Sequence, residues 1–215
     1  MLAPREVQDD AGVVHRYQEE LSGEAMPGGP ITLSWRDVQE ASSDQGYNVV
    51  IHEFAHKIDM QRGDANGYPP FLSSFHARSD FTDWSRVFSV AYEDFCLRVD
   101  KLETRLPVDV NPDDQDHGGH YEALAAHLPM DPYAATDPAE FFAVASESFF
   151  VTPSTLAQAY PDVYQLLSRY YRQHPLIISP VPGTLPPSAR QQQEQQPIPL
   201  HRMRVSVPSR QRWIL

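Results

Sequence analysis

The sequence predicts a mostly helical α+β domain with a small sheet, and three observations carry that expectation. Apolar residues recur at helical spacing over two long segments, about Tyr47 to Arg62 and about Phe81 to Leu102. One short run, Ile31-Thr32-Leu33-Ser34-Trp35, alternates apolar and polar residues as a half-buried strand does. With 41% hydrophobic and 11% aromatic content, 215 residues suffice for one core and a tail, while two full domains would be a squeeze.

Residues 1–29 are polar, with Val7, Val13 and Val14 scattered among them, and Gly28-Gly29-Pro30 breaks the chain before the strand. After a polar stretch, Ala41 to Gly46, the first long helix is expected to stop at Gly63 and the turn-forming residues 64–70. Trp84, Val87, Phe88, Ala91, Phe95 and Val99 give the second long helix a packing stripe. Residues 107–119 read as an acidic surface loop, followed by a short helix around Tyr121 to His127. Asp137-Pro138 opens a helix through about Phe150, since Asp favours the N-cap and Pro is tolerated at the first helical position. Thr152-Pro153 and Pro161 repeat that signal, giving a terminal helix that ends near His174-Pro175. Beyond residue 178, clustered prolines and a glutamine run leave too little apolar surface to offset ordering entropy, so 179–215 reads as a tail.

A formal charge of −12 argues against a phosphate-binding surface for nucleic acid or anionic membrane. No apolar run approaches a bilayer-spanning length, and MLAPREVQDD lacks the regions of a signal peptide. The single cysteine, Cys96, cannot form an internal disulfide and fits a reducing, cytoplasmic setting.

His52-Glu53-Phe54-Ala55-His56 matches H-E-x-x-H, which sets two imidazoles one helical turn apart, able to reach one Zn²⁺, with Glu53 near enough to act on a bound water. In a chain with nine histidines, chance produces this pattern in roughly one shuffle in fifty, too often to settle the matter alone. Val49, Val50, Ile51, Phe54 and Ile58 form an apolar stripe that would bury the helix, and burying two imidazoles and a carboxylate without a ligand is costly. Asp59 shares the histidines' face and could accept a second ring N–H; its alternative is a surface partnership with Lys57 or Arg62. A catalytic zinc takes a third protein ligand and keeps one position open. Cys96 is a weak source because it stands in a packing stripe. The better source is the segment with Glu140 and Glu147, seven apart on one helix face. Glu140 has an equal alternative, since Asp137-x-x-Glu140 has capping-box spacing, and Glu147 could be solvated at the helix end. His117 and His120 flank a Gly pair in the acidic loop, and His76, His127 and His174 have no partner at ligand spacing.

The stretches Gly29-Pro30-Ile31-Thr32-Leu33-Ser34-Trp35, Asn48 to Asp59, and Asp131-Pro132-Tyr133 through Glu140-Phe141-Phe142 resemble the Mlc titration factor A family of zinc peptidases, over roughly residues 5–176. That family is similar, around its metal, to the anthrax lethal factor catalytic domain. The resemblance implies a zincin-like, gluzincin-type domain over 1–178, without the family's further N-terminal region, and one Zn²⁺ held by His52, His56 and Glu140. It implies Glu53 as catalytic base and Tyr133 as a helper of the tetrahedral intermediate, and it decides Glu140 over Glu147 as the ligand, which leaves Asp59 and Glu147 as candidates for places behind the ligands. It further implies an aminopeptidase-like activity on short peptides, cytoplasmic location, and binding of a repressor of the Mlc type. A zinc-containing binding protein with vestigial hydrolysis is the competing reading.

Overall fold

The structure, a computed structural model, describes residues 2–8, 14–20, 23–40, 47–105 and 118–177. Two antiparallel strand pairs open the chain. β1 (Leu2–Gln8) and β2 (Val14–Glu20) form a hairpin in a register that sets Leu2 opposite Glu20 and Gln8 opposite Val14. The polar pattern of this region had pointed to no element. β3 (Gly23–Ala25) pairs with β4 (Ile31–Leu33), Gly23 opposite Leu33. The turn between them uses Gly28 at φ 64, a left-handed conformation that glycine adopts without a Cβ clash. The strand expected to reach Trp35 stops at Leu33. Ser34, a residue type favoured ahead of helices, offers its carbonyl to Val38 N at 3.0 Å, and Trp35 opens α1 (Trp35–Glu40), 71% exposed.

α2 (Val49–Asp59) carries the H-E-x-x-H motif. Asn48 caps it, accepting from Ile51 N at 3.1 Å, and a 3-10 turn, Met60–Arg62, extends it to Gly63 at φ 139. Its buried face is Val49, His52, Glu53, Ala55, His56 and Asp59. Phe54, counted in the expected apolar stripe, is 54% exposed, because it lies about 200° around the helix from both motif histidines. β3 and β4 pack on α2, and Lys57 Nζ donates to the carbonyls of Met26, at 2.7 Å, and Gly29 in their connecting turn.

α3 (Arg78–Glu103) begins before and ends at the expected limits, and α4 (Gly118–Ala125) starts earlier than expected. A 3-10 turn (Pro132–Ala135) leads into α5 (Pro138–Val151), then α6 (Pro153–Ala159), α7 (Pro161–Tyr171) and a last 3-10 turn (Pro175–Ile177). Each of α5, α6 and α7 starts on proline, whose missing N–H falls where no intrahelical partner exists.

The core lies between α3, α5, α6 and α7. Trp84 stacks on Phe88 at 4.1 Å, and Phe141, Phe142, Leu156 and Leu167 close around them, each fully buried. α5 is apolar nearly all round and is buried accordingly, with Cys96 on the facing helix buried beside the Ala135 carbonyl. α2 packs against α5, which brings the two candidate ligand segments together. Trp84 Nε1 donates to Gly67 O at 3.0 Å, so the core also anchors the loop after the motif helix. Among the described residues, no helix is long and apolar enough to cross a membrane. The polar stretch 41–46, most of the acidic loop with His117, and the expected tail 179–215 lie outside the described residues.

Candidate metal centre

The one-turn spacing of His52 and His56 on α2 puts their Nε2 atoms 3.1 Å apart. Glu140, in the first turn of α5, sets Oε2 at 3.1 Å from His52 Nε2 and 3.3 Å from His56 Nε2. Three atoms that could hold one ion therefore converge, from residues that are buried or nearly so. Ligands about 2.0–2.1 Å from a tetrahedral zinc are separated from one another by about 3.3 Å, close to all three observed spacings.

The capping-box alternative for Glu140 is half realised. Asp137 does cap α5, its Oδ1 accepting from Ala139 N at 2.8 Å and Glu140 N at 3.0 Å, while the Glu140 carboxylate turns to the histidines. Burial alone would raise the Glu140 carboxyl, but hydrogen bonds from His52 and His56 outweigh it and hold the group well below the usual carboxylate range. Asp137 goes the other way: burial pushes it up, helped by the Glu140 charge, against the backbone N–H bonds it accepts.

Glu147 is 1% exposed rather than solvated. Its Oε1 lies 2.7 Å from His52 Nδ1 and its Oε2 accepts from Asn48 N at 2.6 Å. Glu147 accepts the Nδ1 proton of His52 and so orients the ring, and Nε2, which here bonds Glu140, is the nitrogen that would give up its proton to ligate an ion. Asp59 is tied elsewhere. Its Oδ2 accepts from Asn66 N at 2.8 Å and Gly67 N at 2.6 Å, and burial raises its pKa against those bonds and the nearby His56. Its Oδ1 and His56 Nδ1 are both buried without a hydrogen-bond partner among the described residues.

Glu53 is buried on α2 beneath β3, so close to Gly23 that a Cβ there would stand 2.6 Å from Glu53 Cγ. Tyr133, in the 3-10 turn before α5, has its ring 6.1 Å from that of His52. Two residues of this neighbourhood escaped the sequence reading. Asn48 joins the start of α2 to Glu147, and its position ahead of an apolar helix was a readable cap signal. Gly23 carried no signal, because a close approach across the chain leaves no local pattern.

His76 stacks on Tyr170 and bonds its carbonyl, His127 and His174 are exposed, and none of the three belongs to the metal-type group.

A mostly helical α+β domain with an H-E-x-x-H helix, a small sheet against it and a carboxylate from a following helix is a zincin-like arrangement of metallopeptidase type. The family model described as glucose-regulated metallo-peptidase M90 matches residues 1–172, and the chain belongs to that family. Among curated relatives, it is 40% identical over 172 residues to Mlc titration factor A of Serratia proteamaculans (strain 568), covering 80% of this chain and 56% of the relative. It is 40% identical over 170 residues to Mlc titration factor A of Yersinia pestis (strain Pestoides F), covering 79% and 53%. The same figures hold for Mlc titration factor A of Yersinia pseudotuberculosis serotype O:1b (strain IP 31758). The chain thus spans about half the length of the curated relatives it matches.

Proposed function

We propose that this chain is a zinc-dependent peptidase that hydrolyses short peptides from their amino end, with His52, His56 and Glu140 as metal ligands. The observation that carries the reading is the convergence of two imidazole nitrogens and one carboxylate oxygen at 3.1–3.3 Å, with His52 oriented from behind by Glu147. Nitrogen and oxygen donors with a buried carboxylate behind one imidazole suit zinc. A bound Zn²⁺ would lower the pKa of its water toward about 7 and polarise a carbonyl.

Glu53 is the base in this reading. Its carboxylate takes a proton from the attacking water and hands it to the leaving amine, a role for which its place between the two histidines in the motif is suited. Tyr133 donates its phenol proton to the oxyanion that develops at the reacting carbonyl. β3, the strand lying over Glu53, is better placed than the Ile31–Leu33 strand to pair with an extended peptide beside the base. The single cysteine supports a reducing, cytoplasmic setting.

The name of the relatives supports a second reading, in which this chain too binds a repressor of the Mlc type. A binding role alone would need no base beside the ligands, which favours the peptidase. Elemental analysis combined with hydrolysis of aminoacyl and internally quenched peptide reporters tests the proposal. About one zinc per chain, turnover lost on chelation and regained on adding zinc, and preference for a free amino end are expected. Stoichiometric zinc with no hydrolysis of any reporter would favour the binding role.

A further inference from the structure

Where α7 ends and α3 begins, a pocket of about 510 Å³ is lined in part by Phe75, Asp80, Ser168, Arg169, Arg172 and His174. None of the metal-type residues lines it. Two arginines and a histidine against one carboxylate make it a basic hollow on a chain of net charge −12.

The single acid is already committed. Asp80 accepts from Arg169 Nε at 2.6 Å and from Ala77 N at 3.2 Å. That bond fixes the Arg169 guanidinium and leaves its two terminal nitrogens for another acceptor. Arg172 has no carboxylate partner among the described residues; its guanidinium carbon stands 4.8 Å from the centre of the Phe75 ring. It occupies the left-handed position that closes α7, at φ 52, where glycine is the usual residue, and its N–H is taken by Ser168 O. Ser168 lines the same pocket, and its hydroxyl is buried with no hydrogen-bond partner among the described residues.

We infer that this pocket is a binding site for a small organic phosphate, separate from the metal centre. Two guanidinium groups and an imidazole supply donors for the three terminal oxygens of a phosphate monoester. The volume lies in the small-molecule range of about 300–1,000 Å³ and exceeds what a bare phosphate fills, leaving Phe75 as an apolar wall for the organic part.

The test is a titration of the ¹⁵N-labelled full chain with inorganic phosphate, read residue by residue from amide chemical shifts, with acetate at equal ionic strength in parallel. Arg172→Asn is the first variant, since asparagine tolerates the left-handed conformation and removes only the guanidinium; His174→Gln is the second. Saturable shifts at residues 74–80 and 168–174 are expected, with affinity falling about tenfold or more in Arg172→Asn, less in His174→Gln, and a much weaker response to acetate. Absence of saturable shifts there, equal affinity in both variants, or equal affinity for acetate would overturn the proposal. So would shifts confined to α2 and α5, which would put the phosphate at the metal centre instead.

Discussion

At Gly23 the backbone of β3 comes so near α2 that a methyl group would meet Glu53 Cγ at 2.6 Å and Oε1 at 2.7 Å. Those atoms are not all at the free end of the side chain, so Gly23→Ala must displace the carboxylate rather than graze it. An error of about 1 Å in a reacting group costs on the order of 100-fold in rate. The expected result is a kcat reduced by about that factor with metal content unchanged, checked by steady-state kinetics beside elemental analysis. Glu147 has the opposite signature. In Glu147→Gln one of its two bonds, to His52 Nδ1 or to Asn48 N, meets an amide N–H instead of an oxygen, and metal affinity should fall about 10–100-fold in competition with a chromogenic chelator. At this scale the sequence was legible where placement follows from neighbours in the chain, as for His52, Glu53 and His56 on the buried face of one helix. It was ambiguous for Glu140 and Glu147, whose surroundings come from a helix some 90 residues away. Gly23 was invisible for the same reason.

α2, α5, α6 and α7 owe their starts to a short polar residue or a proline, and those signals were readable. Asp137 accepts two N–H bonds at the start of α5, and the helix it opens delivers Glu140 in its first turn. Asp137→Ala should therefore destabilise the chain by about 1 kcal/mol in urea unfolding and weaken metal binding together, since the cap and the candidate ligand share one turn. Asn48 does the same for α2. Periodicity located α3, whose burial is decided by its own stripe, while the Asp137-Pro138 start located α5, which is apolar nearly all round. It failed for the β1–β2 hairpin, whose strands carry few β-branched or aromatic residues. It also placed Phe54 on the wrong side of α2, because an apolar side chain in a motif of spaced polar residues need not lie on the buried face.

For the molecule as a whole, the metal-type group is a clasp between α2 and α5, with β3 over one side and the aromatic core of α3 and α7 behind. An ion held by His52, His56 and Glu140 would tie the two helices across the chain, so it stabilises the folded state by mass action. Zinc at about 100 times its dissociation constant should add about 2.7 kcal/mol, seen as a rise in Tm that a chelator reverses. The α+β class and the helical majority were legible because they follow from local pattern; the contact between α2 and α5 was not, because pairing of helices distant in sequence is a property of the packed core. The most direct test of the central claim compares the parent with Glu53→Gln for zinc content and for hydrolysis of a peptide reporter. The account predicts about one zinc per chain in both, with turnover in the variant lower by about 10²–10⁴-fold. A Glu53→Gln variant that turns over as fast as the parent, or a folded parent that holds no metal, would contradict it.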